Sequence, residues 1–157
     1  MTGPAADVES GFLGRLGVLG VDHIAVTTRR FEETLADYLS APGARLERGP
    51  GWNAIQRVDF AFVILGDGLA VEILGLKEGV ASPIEEHARR GGGAYHFCYV
   101  VRDIDAAMRE VRAAGGFVVT PPTPDVAFDG RRIAFFMHRA HGLVELLEAL
   151  PSPPVLD

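Results

Sequence analysis

The chain has 157 residues, of which 48% are hydrophobic and 23% charged, so its composition fits one soluble globular domain and excludes a disordered chain. The net charge of −6 disfavours nucleic-acid binding, which needs a basic surface. The single cysteine, Cys98, excludes an internal disulfide. We expect a cytoplasmic protein, because the first ten residues lack the cations of a secretory signal and the stretch 11–26 is too polar to span a bilayer.

A weak internal repeat divides the chain into two similar halves. When the sequence is shifted by 73 residues, His23 falls on His96 and Glu72 falls on Glu145. The matched polar residues lie within apolar runs, and one register without gaps holds along both halves. The repeat therefore predicts two copies of one supersecondary unit.

The first half reads as one strand, one helix and three further strands. The predicted elements are a strand at 21–27, a helix at 30–39 and strands at 44–48, 55–65 and 69–74. The tripeptide Gly66-Asp67-Gly68 predicts a hairpin turn between the last two strands. After this half, Ser82 and Glu85 form a capping-box pattern that predicts a short helix. The glycines at 91–93 lack the Lys-Ser or Lys-Thr of a phosphate-binding loop, so they predict a hinge.

The second half repeats this order. Its predicted elements are a strand at 95–101, a helix at 104–114 and strands at 117–120, 132–138 and 143–147. Asp103 is the expected N-cap of the helix, and Gly115-Gly116 ends it. The proline-rich segment 121–124 predicts a stiff loop.

These elements predict an α+β fold in which two paired βαβββ modules form a curved mixed sheet around a cleft. We expect an N-terminal extension at 1–17 and a single domain at 18–149. The domain consists of a module at 18–80 and a module at 94–149, joined by a helix and glycine-rich linker at 81–93. The last residues, 150–157, are expected to form a frayed tail.

Two histidines and two glutamates stand at equivalent positions of the halves. His23 and His96 lie in the first strand of each half, and Glu72 and Glu145 lie in the last. Each is surrounded by apolar residues, where a charged group is costly unless it is paired or binds a metal. Taken singly, a strand histidine is more often structural and a strand glutamate more often solvated. Together the four suit a divalent ion such as Co, Ni, Zn or Mn, with positions left open for substrate.

Three stretches resemble the vicinal oxygen chelate superfamily, and within it methylmalonyl-CoA epimerase most closely. They are Val21–Val26, Val71–Leu74 running on to Ala81–Ile84, and Gly130–His138. The resemblance covers about residues 18 to 149 and implies the paired modules and a homodimer. It also implies that His23, Glu72, His96 and Glu145 are the metal ligands, although epimerases often have Gln where Glu72 stands.

The resemblance implies a metal-dependent epimerase or isomerase that acts through an enolate on a small acyl-CoA-like or carrier-bound thioester. Epimerisation needs a base on each face of the planar intermediate. Glu145 is expected to be both a metal ligand and one base. Asp59 is the candidate for the other, although a surface aspartate is an equal alternative. Strand alternation places Asp59 on the same face as Ala61 and Val63.

The sequence departs from the epimerase pattern after the long strand of the second half. The loop reads His138-Arg139-Ala140-His141, without the family's lysine, and Arg139 is a possible replacement. Trp52 and Tyr95 are either cleft-lining or core residues.

Two alternative functions stay open. One is a glyoxalase-type isomerase or lyase that uses the same four ligands on another small substrate. The other is a non-catalytic protein of this fold that binds and sequesters a small molecule. The complete ligand set argues against the non-catalytic protein. No nucleic-acid or membrane partner is expected.

Overall fold

Eight strands form one sheet in the computed structural model of the protein, which describes residues 11–152. The strands of the described part are β1 (Val18–Thr28), β2 (Arg45–Asn53), β3 (Val58–Ile64), β4 (Ala70–Gly75), β5 (Gly93–Val101), β6 (Phe117–Pro124), β7 (Arg132–His138) and β8 (Gly142–Glu148). The helices are α1 (Phe12–Arg15), α2 (Phe31–Leu39), α3 (Glu85–Arg89) and α4 (Ile104–Ala113), with one 3₁₀ turn at Val126–Phe128. Residues 1–10 of the predicted extension and residues 153–157 of the predicted tail lie outside the described residues.

The strand order β2-β3-β4-β1-β5-β8-β7-β6 places the two modules side by side, with β1 and β5 antiparallel at the centre. The pairings of one module recur in the other at the same shift of 73 residues. Ala25 pairs with Glu72 in the parallel β1–β4 ladder, and Cys98 pairs with Glu145 in the parallel β5–β8 ladder. The predicted α+β fold of two βαβββ modules in a curved mixed sheet is therefore confirmed.

The two faces of the sheet carry separate apolar clusters, because successive side chains of a strand point to opposite faces. On the outer face, α2 packs against β3 and β4, and α4 packs against β7 and β8. The inner face carries a third cluster, which includes Ala25, Phe62, Phe128 and Phe135. The 3₁₀ turn and the N-cap of α3 border this inner face, since Ala127, Phe128 and Ile84 belong to the third cluster. The curved sheet encloses the space where the four repeated polar residues meet.

Helices α2 and α4 form where the apolar residues recur at helical spacing. The buried residues of α4 include Ile104, Met108 and Val111, which face the sheet. The side chain of Asp103 accepts a hydrogen bond from the Ala106 N–H at 2.9 Å, which confirms the predicted N-cap.

Helix α1 lies within the stretch that the sequence predicts as an extension. Its Phe12 ring packs edge-on against Phe136, with ring centroids 5.9 Å apart, and stacks on His138 at 4.4 Å. The extension thus covers part of the second module's outer face. At the shift of 73 residues α1 falls on α3, which precedes β5 as α1 precedes β1.

The prediction of a stiff loop at 121–124 is wrong, because β6 continues through it to Pro124. The prediction for β2 is likewise too short, since that strand continues to Asn53. Both strands lie at the edges of the sheet, where a proline's missing N–H breaks no ladder. Register shifts within both edge pairings accommodate the irregular residues.

The linker between the modules also differs from its prediction. The predicted short helix forms as α3, but it begins only at Glu85. The capping box does not form, because the Ser82 hydroxyl accepts from the Ile84 N–H at 3.4 Å instead of the Glu85 N–H, and donates to the carbonyl of Gln56 at 3.1 Å. The triple glycine is a tight turn against β1. Gly92 has a φ of +69° and lies against the carbonyl of Thr27, so a side chain there would collide with the strand. Within the described residues, no helix has the length and apolar character needed to cross a bilayer.

Gly75 in β4 allows the closest approach of α2 to the sheet. A Cβ at Gly75 would lie 2.7 Å from a ring carbon of Phe31. We expect Gly75→Ala to lower the free energy of unfolding by about 1–3 kcal/mol, because the ring must move in a packed core. The matched control is Gly20→Ala, where an added Cβ meets nothing within 4 Å. Chemical denaturation of both variants tests this, and equal losses would contradict it.

Candidate metal centre

The four repeated polar residues converge on the inner face of the sheet. One ligand atom from each of His23, Glu72, His96 and Glu145 can be chosen so that all four lie within 4.8 Å of one another. His96 is 3% exposed and the other three are fully buried. The sequence placed these residues in four different strands, and the fold brings them into one cluster.

The strand pairing explains this convergence. β1 and β5 carry the histidines at the centre of the sheet, with β4 and β8 on either side. In the antiparallel pair His23 lies opposite Cys98, and His96 lies opposite Ala25. The glutamates then enter from the two flanking strands, one from each module. The pseudo-twofold relation of the modules therefore builds the cluster from one histidine and one glutamate of each.

The contacts within the cluster are close but leave several polar atoms unsatisfied. The Nε2 atom of His23 lies 2.9 Å from Glu72 and 3.3 Å from Glu145, and His96 Nε2 lies 2.9 Å from Glu145. Buried atoms without a hydrogen-bond partner are His23 Nε2, both oxygens of Glu72, His96 Nδ1 and Glu145 Oε1. Buried polar atoms are rarely left without a partner. Converging imidazole nitrogens and carboxylate oxygens fit a divalent ion such as Zn, Co, Ni or Mn.

Asp22 fixes the orientation of His23. The Nδ1 atom of His23 lies 2.9 Å from the Asp22 carboxylate, whose side chain is 23% exposed. A carboxylate in this position favours the tautomer in which Nδ1 carries the proton and donates it. The lone pair of Nε2 is then directed at the cluster, as in the carboxylate–histidine pairs that support metal ligands.

The carboxylates of the cluster differ in their proton affinity. Burial raises the pKa of Glu72. Burial acts in the same direction on Glu145, but contacts with His23 and His96 outweigh it and lower the pKa of Glu145 to about 2. Burial also raises the pKa of the neighbouring Cys98 thiol.

Aromatic side chains enclose the cluster. The rings of Phe62 and Phe128 contact His23, with centroid distances of 5.1 and 5.7 Å, and Phe135 contacts His96 at 5.2 Å. The Arg48 guanidinium lies over both Phe62 and Phe128 and donates a 2.7 Å hydrogen bond to the Ala127 carbonyl. Arg48 thereby holds the 3₁₀ turn of the second module against the inner face. The enclosure keeps the cluster away from bulk water and strengthens its electrostatic interactions.

The structure does not bring Asp59, the sequence-predicted second base, to the cluster. Asp59 alternates with Phe60 along β3, and it shares the outer face with Ala61 and Val63, which pack in the cluster under α2. The inner face belongs to Phe60 and Phe62. The strand alternation expected from the sequence is confirmed, and this alternation separates Asp59 from the four ligands.

The other suggested contact residues fall in different places. The His138 ring stacks on Phe12 of α1, and the His141 ring is tilted against the same ring, with centroids 5.5 Å apart. Arg139 lies exposed in the turn before β8. Trp52 is 39% exposed and lies beneath the Lys77 ammonium. Among the aromatic candidates of the sequence, Tyr95 borders the inner space: its ring is 5.3 Å from that of His96.

Sequence reasoning missed a buried polar network beside the cluster. Asn53 donates to the Asp125 carboxylate at 3.1 Å and accepts hydrogen bonds from the backbone N–H groups of Ile55 and Gln56. Asn53, Gln56 and Asp125 are 0%, 7% and 1% exposed. The available signal was the run Asn53-Ala54-Ile55-Gln56 between two strands, where asparagine favours turns. The long-range partner of Asn53 has no signature in the sequence.

Comparison with known proteins identifies the fold family. Residues 22–135 match the family model described as the Glyoxalase/Bleomycin resistance protein/Dioxygenase superfamily. The chain belongs to this superfamily. The match includes three of the four cluster residues, and Glu145 follows it in β8. Membership in the glyoxalase/dioxygenase superfamily confirms the resemblance found in the sequence.

Several relatives within the superfamily are named as epimerases. The chain is 29% identical over 140 residues to a mitochondrial methylmalonyl-CoA epimerase of Dictyostelium discoideum, covering 87% of this chain and 82% of that protein. It is 29% identical over 125 residues to an ethylmalonyl-CoA/methylmalonyl-CoA epimerase of Cereibacter sphaeroides, covering 78% and 87%. The crystal structure of methylmalonyl-CoA epimerase from Mycobacterium tuberculosis matches with a TM-score of 0.71 and 25% identity, covering 86% and 91%.

The cluster predicts metal binding that depends on each ligand. We expect chelated protein to take up about one Co²⁺ or Zn²⁺ per chain, and His23→Ala to weaken binding by roughly a hundredfold, since four ligands share a binding free energy of about 10–16 kcal/mol. The matched control is His141→Ala, because His141 is exposed and outside the cluster. Isothermal titration calorimetry measures both affinities. A wild-type chain that binds neither ion would contradict the prediction.

The contact of Asp22 with His23 predicts an indirect contribution to the same site. We expect Asp22→Asn to weaken metal binding by about 10- to 100-fold, because the amide no longer fixes the required tautomer. The free energy of unfolding of Asp22→Asn, measured with denaturant, should change much less than its free energy of metal binding. If Asp22→Asn binds Co²⁺ as tightly as the wild type, the orienting role is excluded.

Proposed function

We propose that the protein is a metal-dependent epimerase or isomerase of a small acyl thioester. The observation that carries this proposal is the buried cluster of His23, Glu72, His96 and Glu145, which lies in a fold shared with proteins named as methylmalonyl-CoA epimerases. A CoA or carrier thioester is the substrate class that these names support. The homodimer and the cytoplasmic location stay predictions.

The reaction requires removal of a weakly acidic proton next to a carbonyl. His23, Glu72, His96 and Glu145 would hold a divalent ion, which would supply a Lewis acid for the negative charge that develops on the carbonyl oxygen. Glu145 is the proposed base, because its carboxylate lies in the cluster, 2.9 Å from His96 Nε2 and 3.3 Å from His23 Nε2. The phenylalanines around the cluster exclude bulk water, which protects an enolate from unselective protonation.

Epimerisation also needs a second group that returns the proton to the opposite face. The two glutamates enter the cluster from β4 and β8, which flank the β1–β5 pair on its two sides. We therefore include Glu72 as the second acid–base group, because it is the other carboxylate that the fold brings into the cluster. The outward position of Asp59 favours Glu72 over Asp59 for this role.

A glyoxalase-type isomerase is the second candidate function. The same carboxylates can move a proton between adjacent carbons of a different small substrate, and Glu72 and Glu145 are the two carboxylates that the described structure brings to the cluster with His23 and His96. The two functions are distinguished by which substrate the protein turns over. The hemithioacetal of methylglyoxal and a thiol serves as the substrate of the second function.

Solvent deuterium exchange tests the proposed reaction. We expect the Co²⁺-loaded protein to incorporate deuterium at the α-carbon of methylmalonyl-CoA in D₂O, as measured by mass spectrometry. Glu145→Gln should lower the exchange rate by about 10²- to 10⁴-fold, because it removes a base that acts in the transition state. Because this variant also loses a ligand, its rate is compared at full metal occupancy.

Asp59→Asn serves as the matched carboxylate control. Its position on the outer face predicts an exchange rate within about twofold of the wild type, and a large loss would restore Asp59 as the second base. If the wild type consumes the hemithioacetal and incorporates no deuterium, the glyoxalase-type function is supported and the epimerase function is rejected. A metal-loaded wild type without turnover of either substrate would reject both.

A further inference from the structure

The four cluster residues have almost no contact with solvent in the described structure. His96 is 3% exposed, and His23, Glu72 and Glu145 are fully buried. A divalent ion or a thioester can therefore reach them only if part of the enclosure moves. The residues that enclose the cluster differ in how firmly the backbone holds them, and this difference indicates which part moves.

Three phenylalanines contact the cluster histidines, and two of them lie in strands. Phe62 belongs to β3, which pairs with β2 and β4, and Phe135 belongs to β7, which pairs with β6 and β8. The backbone of each is thus held by hydrogen-bonded ladders on both sides. Phe128 belongs to the 3₁₀ turn and to no strand. Its displacement therefore breaks the fewest backbone contacts.

Phe128 lies in a short segment, residues 126–130, which we call the flap. The two ends of the flap are joined at its base, where the Asp125 N–H donates to the Arg131 carbonyl at 3.1 Å. The Asp125 carboxylate is in turn held by Asn53, and both residues are buried. The base of the flap is therefore anchored, whereas the flap itself depends on other contacts to stay in place.

Arg48 supplies these other contacts. Within the described residues, the one hydrogen bond that joins the flap to a distant strand comes from the Arg48 guanidinium, which donates to the Ala127 carbonyl at 2.7 Å. The same guanidinium lies over the Phe128 ring, 5.2 Å from its centroid, and that ring stacks on His23. Arg48 is half-buried, whereas Phe128 is 2% exposed. Phe128 thus contacts both the buried cluster and a side chain that reaches the surface.

We propose that the flap is a gate to the metal cluster and that Arg48 is the positioning residue that keeps it closed. When the guanidinium releases the Ala127 carbonyl, the flap moves with Phe128 away from His23 and opens the cluster to an ion and to the reacting end of a thioester. Closure then returns the apolar cover over the bound molecule. This inference rests on the proposed function for the ligand that enters, but the opening itself needs no turnover.

Cys98 provides a reporter of access to the space under the flap. It is the single cysteine of the chain, is 0% exposed, and packs in the same inner cluster as Phe128. A small thiol reagent, methyl methanethiosulfonate, can modify it only after an opening. The modification rate of the full-length, metal-free protein, followed by mass spectrometry, therefore measures the fraction of molecules that are open.

Two substitutions should open the flap. We expect Arg48→Met to accelerate the modification of Cys98 by about 10- to 100-fold, because it removes a hydrogen bond from a charged donor and keeps an apolar stem over the rings. Phe128→Leu should accelerate it as well, since a smaller side chain covers the cluster less completely. The second variant tests the gate independently of the Arg48 contact.

Arg132→Met is the matched control, because the Arg132 guanidinium binds Asp105 of α4 and Glu148 of β8. The modification rate of Cys98 in this variant should stay within about twofold of the wild type. All rates are measured at denaturant concentrations well below the unfolding transition. There a local opening depends little on denaturant, whereas global unfolding depends on it steeply.

The kinetics of Co²⁺ binding provide a second readout. Arg48→Met should raise the association and dissociation rates of Co²⁺ by a similar factor and leave Kd within about threefold, because the flap contributes no ligand atom to the cluster. Loss of a ligand, as in His23→Ala, instead changes Kd. Stopped-flow mixing with Co²⁺ and with a chelator gives the two rates.

The gate is overturned if Cys98 is modified at the wild-type rate in both Arg48→Met and Phe128→Leu, or if the acceleration only follows the loss of global stability. Faster modification in Tyr95→Ala alone would place the entrance beside His96 and would overturn it as well. These outcomes do not depend on deuterium exchange. A protein that fails to exchange but shows faster modification in Arg48→Met has the gate without the epimerase reaction.

Discussion

The burial of two carboxylates and two imidazoles at the centre of one sheet is the constraint on which the rest of the structure depends. Each of these groups is costly away from water unless its charge is balanced. Asp22 orients the His23 imidazole, and the pairs His23–Glu72 and His96–Glu145 place each imidazole against a carboxylate. The ligand atoms that still have no hydrogen-bond partner are available to a cation. Removing one partner from such a set exposes the others to an uncompensated burial cost, so the four residues act as a unit.

The sequence was sufficient to predict much of this arrangement, because the repeat constrains both modules at once. The repeated order of one strand, one helix and three strands predicted the fold class, and equivalent registers followed in the β1–β4 and β5–β8 ladders. Strand alternation correctly predicted which face Asp59 shares with Ala61 and Val63. It did not show which face carries the cluster, because the sequence leaves open how the curved sheet encloses its inner side.

Features that depend on long-range contacts were beyond the sequence. The prolines of β6 led to the prediction of a loop. The sequence does not show that this strand lies at the edge of the sheet, where prolines are tolerated, because tertiary pairing sets that position. The contact of Arg48 with the 3₁₀ turn and that of Asn53 with Asp125 join residues more than seventy positions apart. Neither pair has a mate under the repeat. The walls of the enclosed space are therefore specific to each module, although the ligands are duplicated.

This difference between duplicated ligands and unmatched walls has a stereochemical consequence. The ligand set alone is nearly symmetric and presents similar groups to both sides of a planar molecule. Arg48 reaches over the cluster from the first module, and the 3₁₀ turn with Phe128 comes from the second. The two enantiomers of a chiral ligand thus meet unlike surroundings, so they bind with different affinities and the ratio of the bound enantiomers departs from the ratio in solution.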